Sequence, residues 1–303
     1  RTAISVLLPI QNFRFRDEKD LYAQFAKINF SEYMKVNQTF AVKGAVNSKL
    51  FNHTGYPRLV LKDAIADHFR DKFDKRPSVD LEKPQILFDI HIEENQCTVS
   101  LNSSGAPLFQ RGYRQGTGEA PINEVVAAGL IYLSGWDQKS NFIDVTCGSG
   151  TIPIEAALMA NGIPPNIARK SYSFQYWYDY DQQLWEDIYS KAPNVPKRDL
   201  DFKIIGSDTD GDVILKAREN IKALPLGKTI SFEVKEFNDQ VCPEGKGILI
   251  CNPPYGERLQ DEALFDLYRD LGNFFKRKMK GYDCWVISSN FDAFKNIELK
   301  PAK

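Results

Sequence analysis

The run Asn252-Pro253-Pro254-Tyr255 combines residue types that could hold an aromatic amine. Asn252 offers a side-chain carbonyl as a hydrogen-bond acceptor, and two prolines fix the backbone so that the Pro253 carbonyl points in a defined direction. Tyr255 offers a flat face on which a base can stack, which is worth about 1–3 kcal/mol. Acceptors that hold both hydrogens of an amino group would leave its nitrogen free to attack an electrophile. The alternative is a proline-rich turn that ends a strand.

A second loop, 144–151, reads Asp-Val-Thr-Cys-Gly-Ser-Gly-Thr and lies between an apolar run and a helical segment. Gly148 and Gly150 would let the backbone approach a ligand closely, and the helix that follows offers free N–H groups to it. The loop is not a phosphate-binding Walker loop, because no Gly-Lys-Ser/Thr follows, and Pro153 replaces the third glycine of the dinucleotide fingerprint. A tight turn is the alternative, in which Cys147 is simply a small residue.

The third loop, 206–210, contains two aspartates after another apolar run. Asp208 could accept both hydroxyls of a ribose, as an acidic residue at the tip of the second strand does in nucleotide-binding α/β folds. Alternatively, Asp208 caps the following helix, although Asp210 suits the cap better because it lies closer to Val213.

These three loops fall within a regular alternation of short apolar runs and helical segments that begins at Phe142. Such a rhythm predicts a mostly parallel sheet with helices on both faces. Ligands bind outside the carboxyl ends of such strands, so we expect the loops to meet there. The predicted strands are Phe142–Val145, Lys203–Gly206, Ile230–Val234, Gly247–Cys251 and Cys284–Ser288, and the predicted helices are Ile152–Ala160, Val213–Leu224 and Ala263–Lys278.

Residues 1–104 have a mixed α and β pattern, and residues 104–120 are rich in glycine and short polar residues, which is typical of a linker. A helix is predicted over Asn123–Leu133. Aromatic residues crowd 172–185, where we favour packing of a long insertion over base stacking. The predicted early elements are strands at Ile4–Ile10, Thr39–Ala45, Ile86–Ile92 and Thr98–Leu101 and helices at Lys19–Ala26 and Leu59–Phe73.

Composition excludes several classes of protein. The net charge of the 303 residues is −1, so any nucleic-acid surface must be a local basic patch. The five cysteines form no CxxC pair and the three histidines are dispersed, which argues against a metal site. The odd number of cysteines argues against a disulfide framework. These features favour a reducing cytoplasm. No run of about 18 apolar residues predicts a membrane span.

The loops at 144–151 and 252–255 resemble those of methyltransferases that modify the amino group of adenine N6 or guanine N2. The resemblance becomes closer, and points to one family, when four further motifs are included: Arg111-Gly112-Tyr113-Arg114, Glu124, Gly206-Ser207-Asp208 and, after Tyr255, Gly256-Glu257-Arg258-Leu259. Together these motifs are similar to those of bacterial THUMP-domain methyltransferases that form N2-methylguanine in 23S rRNA. Members of that family are often described as N6-adenine-specific DNA methylases because of the Asn-Pro-Pro-Tyr signature. The resemblance covers nearly the whole chain.

The resemblance implies an α/β chain in which a Rossmann-like class I methyltransferase domain follows a smaller α+β THUMP domain. The implied boundaries are 1–103 for THUMP, an RNA-binding module that is N-terminally incomplete, 104–120 for a linker and 121–303 for the methyltransferase domain. Family members begin with a further segment and end with a hairpin, so we expect a trimmed version of a longer protein, with one sheet edge exposed.

The implied cofactor is S-adenosylmethionine, converted to S-adenosylhomocysteine, with no metal. Asn123 and Glu124 would cover its methionine end, and Glu236 would lie near its adenine, with Asn238 or Asp239 as alternatives. The full implied cofactor set is Asn123, Glu124, Asp144, Thr146, Cys147, Gly148, Ser149, Gly150, Asp208 and Glu236, and the catalytic set is Asn252, Pro253, Pro254 and Tyr255.

The implied reaction methylates the N2 amine of a guanine in 23S rRNA, so RNA is the implied partner. Methylation of adenine N6 in DNA or RNA, and guanine methylation in tRNA, stay open because both bases present an aromatic amine. A protein of another class, an RNA-binding assembly factor whose methyltransferase domain no longer acts, is also open. The intact set of three loops argues against that last possibility.

Overall fold

The computed structural model describes residues 1–115, 121–191, 200–255 and 261–302, and within them the chain forms nine strands and eight α-helices. The strands are β1 Leu7–Arg14, β2 Phe40–Asn47, β3 Ile86–Glu93, β4 Gln96–Asn102, β5 Asn141–Asp144, β6 Ile204–Asp208, β7 Ile230–Val234, β8 Gly247–Cys251 and β9 Tyr282–Val286. The helices are α1 Glu18–Phe25, α2 Tyr56–Phe73, α3 Glu124–Leu133, α4 Thr151–Ala160, α5 Gln182–Lys191, α6 Gly211–Lys222, α7 Asp261–Lys278 and α8 Phe291–Lys295.

The chain divides into two compact units. The four-strand unit comprises residues 3–108 and 170–187, and the five-strand unit comprises residues 1–2, 109–169 and 188–303. Residues 116–120, which belong to the expected linker, lie outside the described residues. The expected boundaries at 103 and 121 stay predictions.

The four-strand unit is built on a mixed sheet with the order β1-β4-β3-β2, in which β2 and β3 are parallel and the other pairs are antiparallel. Alternation along β3 buries Phe88, Ile90 and Ile92 on one face, as expected for a strand with one covered side. These side chains pack with α1 and α2, whose Phe25 and Phe69 are buried in the same core.

The strand expected at Ile4–Ile10 is wrong in its bounds, because β1 runs from Leu7 to Arg14. Leu7 and Leu8 are 40% and 49% exposed, so burial of an apolar run does not set this strand. Its second half is instead held at the sheet edge by pairing with β4, where Asn12 and Thr98 side chains bond at 3.2 Å. Polar cross-strand pairs of this kind stabilise a solvated edge.

The aromatic segment 172–185 belongs to the four-strand unit. Tyr172 stacks on Phe174 with ring centroids 5.4 Å apart, and Trp185 meets both rings edge-on. The Ser173 hydroxyl also donates to the Gln85 carbonyl at 2.9 Å. These contacts confirm that the segment is predominantly packed, although Tyr178 remains 53% exposed.

The five-strand unit confirms the predicted parallel sheet. All its pairs are parallel, in the order β7-β6-β5-β8-β9. One face packs against α3, α4 and α6, and the other packs against α7 and α8. β9 lies two residues earlier than the expected Cys284–Ser288, because its ladder with β8 pairs Tyr282 with Gly247 and ends at Val286 with Cys251.

No helix within the described ranges is both long enough and apolar enough to cross a membrane.

Candidate functional site

Side-chain alternation brings the predicted site residues to one face of the parallel sheet. Ile204 of β6 and Ile248 of β8 both pack into the core beneath α4. Because strand side chains alternate, Asp208, four residues after Ile204 in β6, lies on that same face, and Asn252 directly follows the last residue of β8. Asp144 ends β5 between them, paired with Gly206 of β6. The three loops therefore converge as expected at the carboxyl ends of three adjacent strands.

The loop between β5 and α4 depends on glycine. Gly150 caps α4 with φ +84°, and a Cβ on it would lie 2.8 Å from the Phe232 ring, so any other residue is excluded by both conformation and space. Gly148 also has positive φ, at +52°, but a Cβ there would meet nothing within 4 Å. Within the described part of the chain, space is therefore open beside Gly148, and no side chain caps the N–H groups of α4.

Unpartnered polar atoms collect around this loop. Ten buried side-chain nitrogen or oxygen atoms of the described residues lack a hydrogen-bond partner, and five of them lie at the carboxyl ends of β5, β6 and β8. Since a buried polar group without a partner costs about 1–3 kcal/mol, such a set is explained when a polar ligand completes it. The five are Asp144 Oδ2, Thr146 Oγ1, Ser149 Oγ, Ser207 Oγ and Asn252 Oδ1.

Asp208 does not cap the following helix. Its Oδ2 accepts from the Gly148 N–H at 2.9 Å, and its Oδ1 accepts from the Asp210 N–H at 3.1 Å. Asp210 is the cap of α6, because its Oδ1 accepts from the Asp212 N–H at 2.8 Å. The carboxylate of Asp208 thus faces the glycine loop, as a ribose-binding residue would require.

Asp144 is 1% exposed, and burial raises the pKa of its carboxyl to about 8. The Thr146 N–H, which donates to Oδ1 at 3.1 Å, opposes this rise in pKa, and the negative charge of Asp208 adds to it. At neutral pH the carboxyl is therefore mainly protonated, so Asp144 can donate a hydrogen bond as well as accept one.

The residues after β8 present an acceptor and an open ring. Asn252 is half-buried with its Oδ1 unpartnered, Pro253 is buried, and Pro254 and Tyr255 are exposed. Tyr255 is 41% exposed, so its side chain is accessible from solvent. The motif residues 256–259 lie outside the described part of the chain.

Asn123 and Glu124 both have partners within the fold. Asn123 caps α3 by accepting from the Val125 N–H at 2.8 Å. Glu124 is buried and forms an ion pair with Arg114 at 2.7 Å. Their contact with the methionine end of the cofactor stays a prediction.

Glu236 follows β7 at the same edge of the sheet and is exposed, as are Asn238 and Asp239. The segment is tied to the site because the Lys235 N–H donates to the Asp208 carbonyl at 2.8 Å. Which of the three side chains contacts an adenine stays a prediction.

Sequence reasoning assigned no role to Asn220, which lies buried in α6. Its Nδ2 donates to the Ser149 carbonyl at 3.1 Å, and its Oδ1 accepts from the Gln115 N–H at 2.8 Å. The available signal was a polar residue on the apolar face of an amphipathic helix, three residues after Ala217. Among the described residues, no group of three or more histidine, cysteine or acidic side chains could hold a metal ion.

Comparison with known proteins gives two family matches. Residues 111–303 match the model described as "RMKL-like, methyltransferase domain", and residues 15–102 match the THUMP domain. The chain is 37% identical over 301 residues to a Synechocystis protein named as a candidate RNA methyltransferase, covering 99% of this chain and 78% of that protein.

A second relative, the ribosomal RNA large subunit methyltransferase K/L of Marinomonas, is 35% identical over 312 residues, which cover 100% of this chain. The chain spans only 43% of that relative's length.

Two solved structures are similar over the whole chain. A Listeria monocytogenes protein described as a predicted N6-adenine-specific DNA methylase is 28% identical with a TM-score of 0.86, covering 100% of this chain and 80% of that one. A protein described as a candidate methyltransferase complexed with SAH is 28% identical with a TM-score of 0.84, covering 99% of this chain and 79% of that one. These matches confirm the expected fold class, a Rossmann-like methyltransferase fold accompanied by a THUMP domain.

The buried carboxyl of Asp144 predicts a pH dependence of stability. Its pKa is about 8 in the folded chain and roughly 3.9 when unfolded, so folding takes up a proton between these values. The contribution of Asp144 to the free energy of unfolding is therefore fully present below about pH 4 and is lost as the pH rises through about 8. We expect the melting temperature of the wild type to fall relative to Asp144→Asn between about pH 5 and pH 8, measured by scanning calorimetry.

A matched control is Asp137→Asn. The pKa of Asp137 is lowered by N–H donation from Lys139, so its contribution to stability changes only under acid conditions. An Asp144→Asn variant whose melting temperature parallels that of the wild type across the range would show that Asp144 is not a buried neutral carboxyl.

Proposed function

The chain belongs to the RMKL-like methyltransferases and carries a THUMP domain, and on this basis we propose that it methylates the N2 amine of a guanine in 23S rRNA. S-adenosylmethionine is the methyl donor of methyltransferases with this fold. The observation that carries the proposal is the buried, unpartnered Oδ1 of Asn252 beside the exposed Tyr255. Both lie at the carboxyl ends of the parallel strands, where the glycine loop also lies.

The cofactor fits the residues at this edge. A carboxylate has about four acceptor positions, and Asp208 uses two of them for the N–H groups of Gly148 and Asp210. The remaining positions are free to accept ribose hydroxyls. The open space beside Gly148 and the uncapped start of α4 provide room and donors for the rest of the cofactor.

The donor supplies a methyl group on a positively charged sulfur, which is already an excellent leaving group. Asn252 Oδ1 and the Pro253 carbonyl would each accept one hydrogen of the guanine amine, while the ring of Tyr255 stacks on the base. Holding both hydrogens directs the nitrogen lone pair out of the ring plane and toward the methyl carbon. When bound, S-adenosylmethionine would supply the methyl group to this nitrogen and leave as S-adenosylhomocysteine, and the excess proton on nitrogen would pass to solvent. Positioning supplies most of the acceleration in such a site.

RNA is supported as the substrate class by the THUMP match at residues 15–102 and by relatives named as RNA methyltransferases. Guanine N2 is the position expected from the motif resemblance, and adenine N6 is the rival because it also presents an aromatic amine. The test therefore has to identify which methylated base the protein produces.

The decisive experiment compares modified nucleosides by mass spectrometry in 23S rRNA from a deletion strain, the same strain carrying the wild-type gene, and the strain carrying Asn252→Ala. We expect one N2-methylguanine to disappear in the deletion strain, return with the wild type and stay absent with the variant. Unchanged N2-methylguanine would overturn the guanine assignment. Loss of N6-methyladenine instead would establish the rival reaction.

Substitutions of Asn252 and of Tyr255 should impair the reaction in different ways. Asn252→Ala removes an acceptor needed chiefly in the transition state, so we expect kcat to fall on the order of a hundredfold or more with little change in cofactor or RNA affinity. Tyr255→Ala removes a stacking face and should mainly raise KM for RNA. Tyr255→Phe is the matched control and should be nearly silent, because stacking needs the ring alone. Full single-turnover activity of Asn252→Ala would refute this mechanism.

Asp208 and Asp210 form a pair of matched variants for the cofactor. Asp208→Asn leaves one acceptor oxygen where two are needed, so we expect the dissociation constant for S-adenosylhomocysteine to rise about 10- to 100-fold, measured by calorimetry. Asp210→Asn keeps a good helix cap and should bind like the wild type. Equal affinities for the two variants would remove Asp208 from the ribose site.

A further inference from the structure

Arg114 lies beside the glycine loop although it is far from it in sequence. The N–H of the next residue, Gln115, donates to Asn220, and Asn220 donates in turn to the Ser149 carbonyl. One buried side chain therefore joins the backbone next to Arg114 to the backbone of the loop. The two hydrogen bonds are 2.8 and 3.1 Å long, so this spacing is tightly set.

Two of the three guanidinium nitrogens of Arg114 have partners. Nε donates to Glu124 Oε1 at 2.8 Å. Nη2 lies 2.7 Å from the same oxygen and donates to Thr151 Oγ1 at 3.1 Å. Thr151 is the first residue of α4, so the guanidinium is fixed at the start of that helix.

The third nitrogen, Nη1, is buried and has no hydrogen-bond partner among the described residues. The side chain as a whole is only 18% exposed. A buried cationic donor without a partner is costly, and the planar guanidinium is suited to binding a carboxylate. The Arg114–Glu124 pair thus orients one free nitrogen while it holds the other two.

Two further donors lie within two residues of Thr151, which Arg114 contacts. Ser149 is 5% exposed and its Oγ has no partner in the described ranges. No described side chain caps α4, which begins two residues later. A helix N-terminus carries about half a positive elementary charge, so the region favours an anion even though Glu124 balances Arg114. Nη1, the Ser149 hydroxyl and the helix N–H groups together form a site rich in donors.

We propose that Arg114 Nη1 binds the carboxylate of the methionine moiety of S-adenosylmethionine, with Glu124 as the residue that positions the guanidinium. The inference rests on the cofactor part of the proposed function and not on the base that is methylated. That carboxylate is the only anionic group of the cofactor, and Asp208 on β6 is left for the ribose. The predicted role of Glu124 at the methionine end is then indirect, because it acts through Arg114.

The test compares two ligands by calorimetry on the full chain. One is S-adenosylhomocysteine, and the other is its decarboxylated analogue, S-adenosyl-3-thiopropylamine, which lacks only the carboxylate. For Arg114→Gln we expect the dissociation constant of the first ligand to rise about 10- to 100-fold and that of the second to stay unchanged. In the wild type, loss of the carboxylate from the ligand should weaken binding by a similar factor.

Arg218→Gln is the matched control. Arg218 lies on α6 in the same unit and donates to the Phe232 carbonyl, so this variant loses the same charge and should bind both ligands as the wild type does. If Arg114→Gln does not fold, Arg114→Lys replaces it. A lysine keeps the charge but loses the planar fork, so we expect weaker binding of S-adenosylhomocysteine alone.

Equal weakening of both ligands, or of neither, in the Arg114 variants would overturn the proposal and leave Arg114 a structural residue. Failure of the wild type to bind S-adenosylhomocysteine at all would instead overturn the cofactor assignment. The two failures are therefore distinguishable.

Discussion

The parallel direction of β5, β6 and β8 is the constraint on which the site depends. Because the three strands are adjacent and run the same way, their carboxyl ends open at one edge, where no further ladder satisfies the polar groups. The sheet buries the oxygens of Asp144, Thr146 and Asn252 there without giving them partners. The free energy gained by packing both faces of the sheet has to offset the cost of these unpartnered groups. A polar ligand that forms hydrogen bonds with them removes that cost.

The geometry of the edge is fixed by residues that act across the sequence. Asn220 of α6 joins Gln115 to Ser149, and Arg114 joins the starts of α3 and α4 through Glu124 and Thr151. Three helices that pack on one face of the sheet are thus tied to each other at the ends nearest the site. Such supporting contacts decide whether a binding loop is rigid enough to position a ligand.

Sequence predicted what depends on local pattern. The alternation of apolar runs and helical segments gave the parallel sheet, and proximity to Val213 identified Asp210 as the cap of α6. The bounds of the edge strand β1 were not predicted, because they follow from pairing with β4 and not from its own apolar residues. Helix α5 was also missed, because its first turns overlap the aromatic segment 172–185, which was interpreted as a packed insertion, and none of its residues is buried.

What the sequence could not provide is how residues of different loops meet. The types in 144–151 and 252–255 indicate a ligand site, but the raised pKa of Asp144 arises from burial by the whole unit and from Asp208, 64 positions away. Exposure then differs across the edge, from 1% at Asp144 to 41% at Tyr255. A small cofactor suits the desolvated end, where hydrogen bonds are strongest, and a base carried on a polymer can reach only the open end. The proposed roles, with the cofactor at the 144–151 loop and the base at Tyr255, therefore agree with depth of burial, which no single stretch of sequence encodes.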